Sequence, residues 1–114
     1  LDEEEFVKST YNIQTFKNRD VHKHMDAIEY YLANIDGPIY VSIDMDVMNP
    51  AIAPSVGNPT PGGFETYSME NILKTLCRKN IVGFDVVETA TDKLGDVTAV
   101  VAAKIIYDFL TLID

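Results

Sequence analysis

The sequence predicts an α/β fold built on a mainly parallel sheet, and three observations carry that expectation. Two β-branched runs, Ile39 to Ile43 and Ile81 to Glu88, each read as a buried strand. A stretch with apolar residues at helical spacing follows each of them. Parallel neighbours need a long crossover, usually a helix, so strand and helix in alternation favour parallel pairing with right-handed connections. At 114 residues, 46% of them hydrophobic and 24% charged, the chain suits one globular domain or part of one.

The elements follow in order. Leu1 to Tyr11 is acidic and predicts a helix anchored by Phe6 and Val7. Asn12 to Phe16 alternates and predicts a short strand. Val21, Met25, Ile28, Leu32 and Ile35 recur at helical spacing, with Asp20 as N-cap and Gly37-Pro38 as the stop. Ile39 to Ile43 is the central strand. Beyond Asp46 lies a segment holding four of the five prolines and three of the six glycines, which rules out helix or central strand there. Loops of that length within a domain are usually functional, although a solvated excursion is the plainer alternative. Met69, Ile72, Leu73, Leu76 and Cys77 predict the next helix, with Thr66 or Ser68 as its cap. After the strand at Ile81 to Glu88, Asp96 caps a long helix whose Val97, Val100, Val101, Ile105, Phe109 and Leu112 are expected to face a core. There is no internal repeat.

Charge narrows the partners. Asp and Glu number 18 against 9 Lys and Arg, a net charge of -9, so nucleic acid and anionic membrane are repelled and a cation is the natural partner. The longest apolar run, Val97 to Ile113, is broken by Thr98, Lys104, Asp108 and Thr111 and does not predict a membrane span. A single cysteine, Cys77, excludes an intrachain disulfide and favours a cytoplasmic setting. No secretory signal is visible, and the chain starts Leu1-Asp2-Glu3 rather than with Met, as an excised piece would.

The chemistry concentrates in YVSIDMDVMNP, Tyr40 to Pro50. In a strand, residues two apart share a face, so Asp44 and Asp46 are expected to converge at the C-terminal end, where parallel sheets bind ligands. Two ionised carboxylates ~6 Å apart at an effective dielectric of ~20 repel by roughly 3 kcal/mol. A hard divalent cation would offset that, and so would loop amides; D-x-D alone does not choose between them. IVGFDVVE brings Glu88 to the same edge, as a metal ligand or as the partner of a cationic substrate. Asp85, inside that run, is expected to be a structural acid satisfied by loop amides.

SIDMDVMNPAIAP followed by GNPTPGG resembles the ureohydrolase signature Ser-x-Asp-x-Asp-x-x-Asp-Pro with its Pro/Gly loop. VGFDVVETA resembles that family's next strand, and Asp96-Val97-Thr98-Ala99 the start of its closing helix. The resemblance, to arginase, agmatinase and relatives, runs from about Ile39 to the C-terminus. It implies a three-layer α/β/α sandwich and a manganese enzyme that hydrolyses a guanidino compound to release urea. Two Mn²⁺ per complete site, a cationic guanidino substrate, a role in polyamine metabolism and a homo-oligomeric intact protein are implied in the same way. Carried over by position, Asp44 and Asp46 are metal ligands and Glu88 contacts the substrate guanidinium. The Pro61-Gly62-Gly63 ending is closer to agmatinase, which points to agmatine.

Departures are visible. Asn49 stands where the family has a third acid, and Ser55-Val56-Gly57-Asn58-Pro59 replaces Gly-Thr-Gly-Thr-Pro. The family's Gly-Gly-Asp-His and Asp-Ala-His-x-Asp stretches do not occur. His22 and His24, two apart on a predicted helix, are expected to face different sides and to be solvated. Residues 1–114 are therefore expected to form the C-terminal part of a single ureohydrolase domain, inactive in isolation. Two other readings stay open at this level. A haloacid-dehalogenase-type phosphatase would use Mg²⁺, Asp44 as nucleophile and Asp46 as acid/base, and would need a later Gly-Asp plus acid cluster, of which Gly95-Asp96 is present but opens a helix without the second acid. A non-catalytic domain with a degenerate metal site would suit Asn49 and the missing histidines.

Overall fold

In the computed structural model, which describes residues 2–11, 13–21 and 23–113, two parallel strands carry the fold. β1 (Ile39–Asp44) and β2 (Ile81–Val87) are the two β-branched runs, and helix α4 (Thr66–Leu76) connects them. Helix α5 (Val97–Leu112) follows β2. Before β1 come α1 (Glu3–Tyr11), the single turn α2 (Asn18–Val21) and α3 (Met25–Ala33).

Alternation along β1 separates the faces of the sheet. Val41 and Ile43 are buried, whereas Tyr40, Ser42 and Asp44 are exposed. Leu73 and Met69 of α4 and Phe109 and Ile105 of α5 belong to the same buried cluster as Val41 and Ile43. The Phe109 ring lies 4.3 Å from that of Phe84, the partner of Val41 across the ladder. The three-layer arrangement is thus represented in this chain by part of the sheet and one helical layer.

Several elements differ from expectation. Residues 13–17 form no strand, so two strands rather than three are found among the described residues; Asn12 lies outside them, as do Leu1 and His22. The helix expected from Val21 is broken: Asp20 sits inside α2, and α3 starts only at Met25, with His24 at its cap position. Val21, Ile28 and Leu32 are buried all the same, so the apolar spacing survives a break that it cannot report. That second helix ends at Ala33, ahead of Gly37-Pro38; Gly37 instead takes the left-handed φ of 92° that turns the chain into β1.

Glu65, not Thr66 or Ser68, occupies the cap position of α4. On α5, Ile105 and Phe109 are buried as expected, but Val97 and Val100 are 51% and 58% exposed, and Thr98 and Ala102 are buried in addition. Phe6 is 47% exposed and α1 buries no side chain. Instead Glu4 holds α1 to the chain beyond it, meeting Lys17 at 2.8 Å as well as Lys8 at 2.7 Å. Those hydrogen bonds, Lys17 first and Lys8 second, bring the Glu4 carboxyl down to about 2.

Candidate active site at the sheet edge

The strands end side by side, Asp44 opposite Val87, which leaves Glu88 one residue beyond the ladder. The expected strand alternation stops at Asp44. Met45–Val47 turns into a single 3-10 turn whose cap is Asp44: its Oδ1 accepts from the Asp46 amide at 2.9 Å. Asp44 and Asp46 are therefore neighbours through that turn rather than through strand periodicity. Asp44 is exposed, and it also lines an open cleft of about 290 Å³ beside Val47, Phe64 and Ile72.

Half-buried Asp46 meets the Pro/Gly loop. The Asn58 amide donates to its Oδ1 at 3.1 Å, and Asn58 Nδ2 donates to Oδ2 at 3.0 Å. Gly57 is pressed between two of the three expected site acids, Asp46 and Glu88. A Cβ there would stand 2.9 Å from Glu88 Oε2 and 3.9 Å from both Asp46 oxygens. Glu88 itself has φ of 63°, the single positive value among described non-glycine residues. Such backbone costs about 1–3 kcal/mol and persists where its surroundings enforce it. Here they do: Val56 bridges Thr89 in antiparallel fashion, and the Ala90 amide donates to the Ser55 carbonyl at 2.9 Å.

The same loop is fastened to the start of α5. The Ser55 amide donates to Thr98 Oγ1 at 2.8 Å, and the Ser55 hydroxyl to Asp96 Oδ2 at 2.9 Å. Asp96 caps α5 as expected, its Oδ1 accepting from the Thr98 amide at 2.8 Å. Burial pushes the Asp96 carboxyl up, but the Ser55 hydroxyl and the Thr98 and Ala99 amides outweigh it, and the net direction is down. A carboxyl lowered on folding adds stability above its unfolded pKa of about 3.9, and that stability is lost as pH falls through the lower folded value. The melting temperature of Asp96→Asn should thus lie furthest below that of the parent above about pH 4, and the gap should narrow as the pH falls below that. A gap constant from neutral pH to acid would contradict this.

Asn49 does not reach the acids. Its Nδ2 donates to Glu65 Oε1 at 2.7 Å and its Oδ1 accepts from the Ala51 amide at 3.0 Å, so it shapes the loop where the family has a charge. Asp85 is a structural acid, but hydroxyls rather than loop amides satisfy it: Tyr40 at 2.8 Å and Ser42 at 2.7 Å. His24 is exposed, with no side-chain capping bond. The contact that sequence reasoning missed is Asn58 on Asp46; its one signal was the departure from the family's loop wording.

Aspartate oxygens are the hard donors that Mn²⁺ prefers. Among the described residues, however, no three of His, Cys, Asp or Glu come together to hold an ion. This chain fits the expected metal in kind of donor and not in number.

A parallel α/β sheet whose acids meet a Pro/Gly loop at its C-terminal edge accords with the family that the sequence resembles. The chain belongs to the arginase family, whose model matches residues 1–111. It is 46% identical over 109 residues to an uncharacterised 32.2 kDa protein of Methanothermus fervidus, covering 96% of this chain and 38% of that one. It is 35% identical over 106 residues to an agmatinase of Pyrococcus horikoshii, covering 92% and 37% respectively. The solved structure of proclavaminate amidino hydrolase from Streptomyces clavuligerus superposes with a TM-score of 0.78 at 28% identity, over 89% of this chain and 36% of that one. The chain thus spans under two fifths of the length of these relatives. The family assignment sets the phosphatase alternative aside, and Asp96 is a helix cap here rather than part of an acid cluster. Among the described residues, no helix is long and apolar enough to cross a membrane.

Proposed function

We infer that the intact protein is a manganese-dependent, cytoplasmic ureohydrolase acting on a linear guanidino compound, with agmatine the first candidate, and that residues 1–114 are the C-terminal part of its single domain. The observation that carries this reading is the meeting of Asp46 and Glu88 at Gly57, on one edge of the sheet. Asp44 and Asp46 are assigned to the metal. The remaining donors would come from the stretches of the family signature that this chain lacks. A pair of Mn²⁺ ions, when bound, supplies an activated water.

The residues present have separate tasks. Glu88 offers a carboxylate to the substrate guanidinium, and that pair of planar groups can form two parallel charge-assisted hydrogen bonds. Asn58 fixes the direction of the Asp46 carboxylate, and Gly57 keeps the loop from filling the space between the acids. The surplus of acids draws a cationic substrate. Agmatine is favoured by the Pro61-Gly62-Gly63 ending and by the agmatinase likeness, and the family resemblance extends the reading to a homo-oligomeric intact protein.

The test is urea release. The intact protein loaded with Mn²⁺ should release urea from agmatine or another linear guanidino compound, and residues 1–114 alone should release none. Silence of the intact protein on agmatine, arginine and guanidino acids would refute the activity and leave the non-catalytic reading. Turnover by the isolated segment would refute the partial-site assignment.

A further inference from the structure

The two strands are out of step by one residue. Ile39 pairs with Ile81, but Tyr40 pairs with Gly83, so Val82 has no partner across the ladder. Continued in step from Ile39, the ladder would set Asp44 against Val86 and Ser42 against Phe84. Partners in a ladder share a face, and a slip of one residue transfers every side chain to the other side. Phe84 would then leave the Phe109 ring for the exposed face of the sheet, and the tip of β2 would be displaced along β1. Something must favour the stepped pairing.

On the exposed face, Asp85 provides it. The Tyr40 hydroxyl reaches Asp85 Oδ2 at 2.8 Å and the Ser42 hydroxyl reaches Oδ1 at 2.7 Å, so both donors come from β1 and both oxygens from β2. Ser42 and Asp85 are partners in the stepped ladder and would not be in the unstepped one. Gly83 completes the arrangement: a Cβ there would come within 2.9 Å of Tyr40 Cε2, so glycine lets the ring cross to Asp85 without shifting. The unpartnered Val82 is 63% exposed, which is consistent with a residue set aside by the step.

We propose that Asp85 is a positioning residue, which through Tyr40 and Ser42 holds the one-residue step of β2 on β1 and thereby fixes where Glu88 leaves the ladder, one residue beyond the Asp44–Val87 pair, with Asp46 across Gly57 from it. Asp85 touches neither acid and acts through register alone. The role in turnover rests on the ureohydrolase reading; the role in register does not.

The experiment uses the intact Mn²⁺-loaded protein and agmatine. Misplacing a reacting group by about 1 Å can cost about 100-fold in rate. Asp85→Ala should therefore lower kcat/KM by roughly 10- to 100-fold, with a rise in KM as expected of a misplaced Glu88, while Tyr107→Phe, on the exposed side of α5, serves as a neutral control. Tyr40→Phe with Ser42→Ala should reproduce the loss, and adding Asp85→Ala to that pair should cost little more. Ile28→Val, a core destabilisation in α3, should lower the melting temperature without changing kcat of the folded protein. Hydrogen exchange over residues 39–46 and 81–88 should accelerate in the Asp85 variant and stay slow in the Ile28 variant. If Asp85→Ala does not fold, the Tyr40→Phe/Ser42→Ala protein decides, and Asp85→Asn, which keeps one acceptor, should fall between it and the parent. Unchanged exchange and unchanged kcat/KM in these variants would overturn the proposal. A parent inert towards every guanidino compound would overturn the ureohydrolase reading, and exchange alone would then decide the role of Asp85.

Discussion

Glu88→Gln in the intact protein is expected to lower kcat/KM for agmatine by roughly 10- to 100-fold, most of it in KM. A hydrogen bond to a charged group contributes about 1.5–3 kcal/mol, and each 1.4 kcal/mol is a factor of ten. The guanidinium is cationic before the reaction starts, so removing the opposing charge weakens the substrate complex from the outset. Loss of uniform binding of this kind appears in KM. The amide keeps the size of the carboxylate, so folding should be little affected. Steady-state kinetics on parent and variant, with melting temperatures of both, check it. A fall confined to kcat with KM unchanged would place Glu88 in the bond-breaking step instead of in substrate capture.

Gly63→Ala should have the largest effect on stability. The added Cβ would lie 2.3 Å from the Met48 carbonyl carbon and 2.5 Å from the Asn49 nitrogen. Both are backbone atoms of a segment already fastened on either side. The Asn49 amide donates to the Phe64 carbonyl at 2.9 Å, and the Phe64 amide to the Val47 carbonyl at 2.8 Å. Met48 is wholly buried, so the strand-end turn cannot move outwards without opening the core. Overpacking costs about 1–3 kcal/mol where side chains can give. Here backbone must give, and we expect about 3 kcal/mol, measured by denaturant unfolding. Gly62→Ala, one residue earlier, meets no atom within 4 Å but must adopt a φ of 86°, and should cost less, about 1–2 kcal/mol. Equal losses at the two positions would contradict the steric account.

Legibility in the sequence followed the range of the forces involved. Both strands, α4 and the Asp96 cap come from local pattern, and they stand where pattern puts them. The break between Val21 and Met25 was hidden because the apolar residues keep their spacing across it without glycine or proline to mark it. The candidate site was partly legible. Asp44, Asp46 and Glu88 were readable as strand-end acids, and the family signature identified their company. How Asp46 is aimed was not readable, because it depends on a 3-10 turn and on Asn58, twelve positions further along a proline-rich loop. Asp85 was recognised as structural, but its donors sit on another strand in a stepped register, and no local pattern predicts a step.

The left-handed backbone at Glu88 also bears on how the protein can diverge. Asparagine, aspartate and glycine enter that region at small cost, while valine, isoleucine and threonine pay heavily for it. Descendants that drift at this position are thus channelled towards short polar or absent side chains. A lineage that changes what this sheet edge binds would retain the bend and vary what projects from it.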